Sequence, residues 1–202
     1  MTLLGGTLCA NANVIFTSQA FDGPVAAGEI MVQNFDSPLA AGYSMSWSNA
    51  GIYQGPLVSG IAAPPFGDNT KYLSVLTGGT ATLTAPALMK SLSVYLGSID
   101  DYNGITFTGL DGFSQSFTGS ALNSPANGDQ SDGVTNRRYY FTFDPNDKIN
   151  KVIFSSSGNS FEFDNIAVND PPIGVPEPLT LSLFASGLAG ATLLRRRRKV
   201  PA

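Results

Sequence analysis

The sequence predicts an all-β domain, an antiparallel two-sheet sandwich, and three observations lead there. The 202 residues include 22 Gly and 13 Pro, spread so that few stretches run long without a turn-former. Between those turns stand short runs rich in Val, Ile, Thr, Tyr and Phe, the residues that suit a half-buried pleated surface. These runs alternate with period two, and no helical period longer than two turns occurs before Leu179.

Taken in order, residues 14–18 form the first candidate strand. Residues 29–34 alternate and lead into the turn Asn34-Phe35-Asp36-Ser37-Pro38. Residues 43–47 place Tyr43, Met45 and Trp47 on one face, which reads as a core face. Residues 54–69 are a loop marked by Gly55-Pro56, Pro64-Pro65 and Gly67-Asp68. Residues 72–76 and 80–84 follow as two strands, joined by Gly78-Gly79 as a hairpin turn. Residues 88–98 put Leu92, Val94 and Leu96 on one face. Residues 105–108 and 113–118 flank a second hairpin turn, Leu110-Asp111-Gly112. Residues 119–136 are a polar loop, read as disordered, and residues 138–143, 151–155 and 160–168 complete the set. Short strands at this spacing close most naturally as a sandwich of the jelly-roll kind.

Composition excludes much chemistry. The chain has no His and one Cys, Cys9, so no Ser-His-Asp or Cys-His catalysis, no intramolecular disulfide and no His or multi-Cys zinc site can be built. A resident metal would be a hard cation on oxygen ligands. Outside the C-terminal tail, Lys71, Lys90, Arg137, Arg138, Lys148 and Lys151 are outnumbered by acids, which leaves no electrostatic footprint for nucleic acid. Carboxylate pairs are the remaining catalytic equipment: Asp100 with Asp101, Asp129 with Asp132, Asp144 with Asp147. Asp-rich loops of this sort are ordinarily solvated turns, and the expectation is no enzyme. Arg137 and Arg138 are placed to pair with the acids of the adjoining loop. Tyr53 and Tyr102, both read as loop residues, are the candidate ligand-binding aromatics, able to stack on a sugar. Thr80-Ala81-Thr82-Leu83-Thr84 suggests a hydroxyl array of the ice-binding type. Such an array needs repetition across strands, and Thr106-Phe107-Thr108 is its only Thr partner, so a plain solvent-facing strand is expected.

Both termini carry targeting features. Residues 1–12 are apolar and small, with Ala10-Asn11-Ala12 matching a small-x-small cleavage site and no cation ahead of it. They read as the remnant of a signal peptide whose start lies upstream, the alternative being a first strand from Thr2. The body spans 13–168, and 169–175 form a Pro-rich extended linker. Then come Pro176-Glu177-Pro178, an apolar stretch from Leu179 to Leu194, and the basic run Arg195, Arg196, Arg197, Arg198, Lys199. About 16 residues make roughly 24 Å of helix, slightly short of a span. Snorkelling Arg extends it, and five adjacent cations fix the far end on the cytoplasmic side.

Residues 176–199 resemble the PEP-CTERM sorting signal of Gram-negative bacteria. The resemblance implies that an exosortase reads Pro176, Glu177 and Pro178. It further implies that the exported protein is held in the inner membrane by a single C-terminal transmembrane helix before processing, then passed to the cell surface or extracellular matrix. The body loosely resembles carbohydrate-binding-module-like jelly rolls, on Asn34-Phe35-Asp36, on 67–75, and on Phe161-Glu162-Phe163-Asp164-Asn165-Ile166-Ala167-Val168. That likeness implies extracellular polysaccharide as partner. It also implies one structural Ca²⁺ held by Asp36, Asp164 and the Lys71 carbonyl; alternatively Asp164 and Asn165 hydrogen-bond at a strand bulge. The leading reading is a non-catalytic surface or matrix protein that binds polysaccharide or serves structurally. Its rivals are a carboxylate-dependent polysaccharide hydrolase or lyase and a plain membrane-anchored envelope protein.

Overall fold

The structure, a computed structural model, describes residues 13–170. Both targeting segments, residues 1–12 and 171–202, lie outside the described residues, and with them the sorting motif, the apolar span and the basic run. Among the described residues no helix is long and apolar enough to cross a membrane.

Ten strands form one antiparallel sheet. They are β1 (Ile15–Ala20), β2 (Ile30–Gln33), β3 (Ser44–Gln54), β4 (Lys71–Thr84), β5 (Ser91–Gly97), β6 (Asn103–Gly109), β7 (Ser114–Thr118), β8 (Arg137–Thr142), β9 (Ile149–Ser156) and β10 (Phe161–Asn169). The order is β1-β8-β5-β10-β4-β9-β6-β7, with β2 on β10 and β3 on β4. The expected class holds, with one difference in how the layers are joined. Two separate sheets were expected, but a single sheet curls until its halves face each other. Side chains from strands on either side of β4 in that order meet across the core. Phe16 on β1 meets Phe117 on β7 at 5.3 Å, Phe107 on β6 meets Phe141 on β8 at 4.8 Å, and Phe154 on β9 stacks on Phe163 on β10 at 4.0 Å. These rings and the predicted Leu92, Val94 and Leu96 belong to one continuous core.

The join is β4. Its first part pairs with β10 and its second with β9, while β3 runs beside both. Gly78-Gly79 therefore does not turn a hairpin. It bends one 14-residue strand from the first half into the second, opposite a register shift in β3 between Ser48 and Ala50. Gly78 takes a φ of +73°, and a Cβ on Gly79 would stand 2.3 Å from the Asn49 carbonyl oxygen. The second expected hairpin does form, with Gly112 at φ +90° between β6 and β7. Trp47 is corrected: it pairs with Ala81 on the core side, but β3 is an edge strand there and the indole is 44 % exposed, while Tyr43 and Met45 pack on the core. The loop after β7 is organised, not disordered. It opens with a helical turn, Gly119–Leu122, and closes around buried Thr135 and Asn136, whose amide donates to the carbonyls of Asp129 and Asp132.

On the second half the outward positions carry hydroxyls in register. One row reads Ser46, Thr82, Ile153, Thr106, Ser116; the next reads Ser44, Thr84, Lys151, Thr108, Ser114. Serine on β3 and β7 thus extends the threonine pairs of β4 and β6, but Ile153 and Lys151 on β9 interrupt both rows. Strand twist of roughly 20–25° per neighbour turns these rows out of a common plane, so they do not form a flat array.

Candidate functional site

The outward face of the first half is polar, yet it is buried. Tyr95 on β5 stands opposite both Asp164 on β10 and Arg138 on β8; Glu162 on β10 stands opposite Ser74 and Gly97. All five of Tyr95, Asp164, Arg138, Glu162 and Ser74 are at most 1 % exposed. The cover is the Pro- and Gly-rich segment 55–70, which lies across the strands as a strap. Its backbone is satisfied by that polar face. The Ala63 amide donates to Glu162 at 3.2 Å, the Phe66 amide to Asn136 Oδ1 at 3.0 Å, Ser74 Oγ to the Ile61 carbonyl at 2.9 Å, and the Tyr95 hydroxyl to the Phe66 carbonyl at 2.5 Å. Gly97 permits the approach, since a Cβ there would lie 2.8 Å from Pro65 Cα. A polar sheet face with alternating Glu and Asp is therefore the counterpart of a loop whose own bonds, such as those between Val58 and Ala62, satisfy only part of its backbone.

Two clefts remain at the margins of the strap. The smaller, about 220 Å³, is lined by Ile61, Asp100, Tyr102, Gln130, Asn159 and Glu162 among others. The Tyr102 hydroxyl lies 2.6 Å from Asp100 Oδ2 and 2.8 Å from the Asn159 carbonyl, and with one hydrogen it donates to one of them at a time. Burial, then the bond to Asp100, pushes the Tyr102 pKa up. Burial also raises those of Asp100 and Glu162. These two acids are the pair a hydrolase would require. However, Glu162 is 1 % exposed and ringed by Ser74, Ser98, Ser160 and the Ala63 amide. A general acid must reach the atom it protonates, and Glu162 instead anchors the strap.

The larger cleft, about 510 Å³, is lined by Phe21, Asp22, Phe66, Asp68, Thr70 and Asn165 together with Gly67, Asn69 and Tyr95. Phe21 and Phe66 are 43 % and 42 % exposed, with ring centroids 5.3 Å apart at 37°. Beside them the polar groups are fixed. Arg138 donates to Asp22 Oδ1 from Nη2 at 2.6 Å and from Nε at 2.9 Å, and from Nη1 to Ser93 and to the Asn165 carbonyl. Asn165 Nδ2 donates to Asp22 Oδ2 at 2.8 Å. Phe21 (φ +62°) and Asn165 (φ +53°) both hold left-handed backbone, uncommon outside glycine and concentrated at functional sites. Arg138 is thus committed here, and Arg137 donates to Ser18 and the Gly133 carbonyl; neither guanidinium pairs with the loop acids as expected.

The residues proposed for Ca²⁺ are brought near one another without being joined. Both Asp36 oxygens accept from the Lys71 amide at 3.4 Å. Asp164 accepts from Thr70 Oγ1 at 3.3 Å, and that hydroxyl also contacts Asp68. Asp164 sits at a bulge, with the β10 register shifting between Asp164 and Ala167, so the strand-bulge alternative describes the backbone correctly. It does not account for the side chain. Asp164 Oδ1 and Asp68 Oδ2 are both buried without a hydrogen-bond partner. Burial first, then the charge of Asp68, raises the Asp164 pKa to about 8. A hard cation takes carboxylate oxygens, but here it would have to displace the proton that so raised a pKa keeps on Asp164 at neutral pH and that its hydrogen bond with Asp68 uses. Asp68 is the residue sequence reasoning missed. Among the described residues no group of three or more acidic, His or Cys side chains gathers at metal-binding range. Any ion would therefore draw on hydroxyl, carbonyl or water oxygens as well.

Tyr53 is corrected. It lies on β3, not in a loop, half-buried with its ring 6.4 Å from that of Tyr72, and lines neither cleft. Of the remaining acids, Asp129 and Asp132 close local turns and Asp144 caps the short helix Pro145–Asp147, while both oxygens of buried Asp147 lack partners.

No family model matches the chain, and no curated protein does. Among solved structures it is similar to a family 29 carbohydrate-binding module from Piromyces equi, at 13 % identity and TM-score 0.38 over 77 % of this chain and 89 % of that one. It is similar to a family 11 carbohydrate-binding module from Clostridium thermocellum bound to a mixed-linked tetrasaccharide, at 13 % identity and TM-score 0.34 over 71 % and 96 %. A third is the adhesin domain of Lys-gingipain from Porphyromonas gingivalis, at 12 % identity and TM-score 0.33 over 78 % and 99 %. Likeness at this level carries no argument about ligand or activity.

Proposed function

We propose that this chain is an exported, non-catalytic polysaccharide-binding protein and that the cleft beside Phe21 and Phe66 receives the glycan. The observation that supports it is the pairing of an exposed aromatic platform with immobilised polar groups. The apolar face of a pyranose stacks on a ring, while its hydroxyls bond to carboxylate and amide. Here Asp22 and Asn165 are already oriented by Arg138, so little ordering cost remains on binding. In this reading Tyr102 holds Asp100 and the second cleft is not the glycan site. The test is titration of folded protein with a panel of soluble polysaccharides. Phe66→Ala is expected to weaken binding about tenfold or more, in the range of an interface hot spot, and Tyr102→Phe to leave it within about twofold. Equal affinity of Phe66→Ala and wild type would refute the assignment.

Delivery follows the tail. Exosortase reads Pro176, Glu177 and Pro178 while Leu179–Leu194 holds the protein in the inner membrane, and processing frees it to the cell surface or extracellular matrix of a Gram-negative host. Support comes from the ordered arrangement of motif, apolar stretch and Arg195–Lys199. Mass spectrometry of the mature C-terminus in an exosortase-containing host decides it. Loss of the basic run is expected, and Glu177→Ala is expected to retain it. Envelope protein with Arg198 still attached would favour the plain membrane anchor.

A further inference from the structure

We propose that Asn136 is the positioning residue of the aromatic cleft. It holds the backbone amides of Phe21 and Phe66 at once, and through its own side-chain amide it makes the spacing of the two rings depend on the loop after β7. Asn136 does not line the cleft itself. Its part in affinity rests on the glycan reading above; its geometric part does not.

Phe21 and Phe66 come from distant parts of the chain, one directly after β1 and the other on the strap. Both rings are largely open to solvent, so packing does little to fix their separation and the backbone has to set it. The Phe21 amide donates to the Asn136 carbonyl at 2.8 Å, and the Phe66 amide donates to Asn136 Oδ1 at 3.0 Å. Other groups hold the remaining backbone atoms. The Arg138 amide donates to the Phe21 carbonyl at 3.0 Å, and the Tyr95 hydroxyl donates to that of Phe66. A single residue thus joins the two parts of the platform. Its carbonyl also helps to hold Phe21 at positive φ, a conformation that costs energy away from glycine.

The side chain of Asn136 is 0 % exposed and fully committed. Oδ1 accepts from the Phe66 and Ser98 amides, each at 3.0 Å. Nδ2 donates to the carbonyls of Asp129 at 2.8 Å and Asp132 at 2.9 Å. Two lone pairs and two hydrogens are all that a primary amide offers. The network also decides which way the amide points, since a flip would set its hydrogens against two N–H groups and its oxygen against two carbonyls. Asp in its place keeps the acceptor and loses both donors; Leu has neither. The two carbonyls belong to turns closed by their own acids. Asp129 Oδ1 accepts from the Ser131 amide and Asp132 Oδ1 from the Val134 amide. The loop also meets Phe21 directly, since a Cβ on Gly133 would lie 3.0 Å from that ring. Asp129 and Asp132, which the sequence offers as a catalytic pair, thus shape the wall from which the platform hangs.

The experiment uses the full chain, with hydrogen–deuterium exchange read on the peptides that carry Phe21 and Phe66 and the polysaccharide titration run in parallel. Asn136→Ala deletes the bond to Phe66 and keeps the carbonyl that holds Phe21. Exchange at Phe66 is expected to speed about fivefold or more, the worth of one hydrogen bond, with Phe21 within about twofold and glycan affinity down about fivefold. Asn136→Asp turns an anion onto the carbonyls of Asp129 and Asp132. Exchange of the loop is expected to rise and affinity to fall, although no residue lining the cleft has changed. Val152→Ala, in the core of the second half, controls for lost stability alone and is expected to leave both the Phe66 rate and the affinity at wild-type values. Gly133→Ala covers the case in which Asn136→Ala does not fold. Its methyl presses on the Phe21 ring, so affinity should fall with the Phe66 rate unchanged. An unchanged Phe66 rate in Asn136→Ala, or wild-type affinity in a variant whose Phe66 rate has risen, overturns the proposal. Wild-type affinity in Gly133→Ala overturns the part given to the loop. A wild type that binds no glycan, with Phe66 still freed by Asn136→Ala, removes the glycan site and keeps Asn136 as the residue that spaces the rings.

Discussion

Arg138→Ala is expected to cost about 3 kcal/mol, mostly from the lost packing and hydrogen bonds of a buried side chain, since Asp22 is 36 % exposed and its charge is rehydrated. Arg138 is the largest fully buried side chain, at 1 % exposure, and its guanidinium makes four hydrogen bonds. Truncation leaves a void, removes a donor from the Asn165 carbonyl, and frees Asp22 from its only ion-pair partner among the described residues, while Ser93 keeps its bond to Glu29. Urea or thermal denaturation reads the loss, which for a domain of this size corresponds to roughly 10 °C or more in Tm. Arg138→Lys is expected to recover less than half. An ammonium is a point charge and cannot reproduce a planar fork that reaches Asp22, Ser93 and Asn165 at once. A loss under about 1 kcal/mol for Arg138→Ala would mean that water replaces the guanidinium and that the polar face is not held by it. The same variant disorders the cleft wall, so its glycan affinity should fall with its stability.

Gly79→Val is expected to be comparably severe, about 3 kcal/mol or more, because nothing nearby can yield. The atoms that a Cβ would meet are backbone: the carbonyl oxygens of Asn49 at 2.3 Å, and of Ser48 and Leu76 at 2.9 Å. Moving them pulls β3 from β4 at the bend that joins the two halves of the sheet. Gly112→Ala serves as the comparison, since a Cβ there meets nothing within 4 Å. Its cost, from φ alone, should be near 1 kcal/mol. Equal melting of Gly79→Val and wild type would show that the bend is not tightly packed.

The contrast between those two glycines shows where sequence reading succeeded and where it stopped. Leu110-Asp111-Gly112 was legible because a tight turn is decided by its own residues. Gly78-Gly79 has the same local signature, but its meaning depends on β3, which lies far off in sequence and crowds it from one side. Trp47 failed similarly: alternation gives the face of a strand, and says nothing about whether another layer extends far enough to cover it. At the site, Asp164 entered through the resemblance of the closing strand, and the structure places it on β10, fully buried. Asp68 stood in a Gly-Asp-Asn stretch that any turn would carry, and only the strap's path places it beside Asp164. Glu162 had a usable signal, a charged residue alternating between Phe161 and Phe163, which marks a strand whose second face meets polar partners. Phe21 and Phe66 had none, since an aromatic in a loop reads equally as anchor or as ligand platform.

The in-register hydroxyl face has a bearing on how the protein behaves in crowded, salty surroundings. Charged residues are only 13 % of the chain, so neutral polar groups share the task of keeping its surface wet with the excess of acids. Along the broad side of the second half, Ser and Thr present donors and acceptors that water satisfies without net charge. Solubility maintained by hydration of neutral groups is not screened as ionic strength rises, whereas charge repulsion is confined to a Debye length of about 8 Å at physiological salt. With Lys151 the one charge in its two rows, the face stays wet largely through groups that salt does not screen.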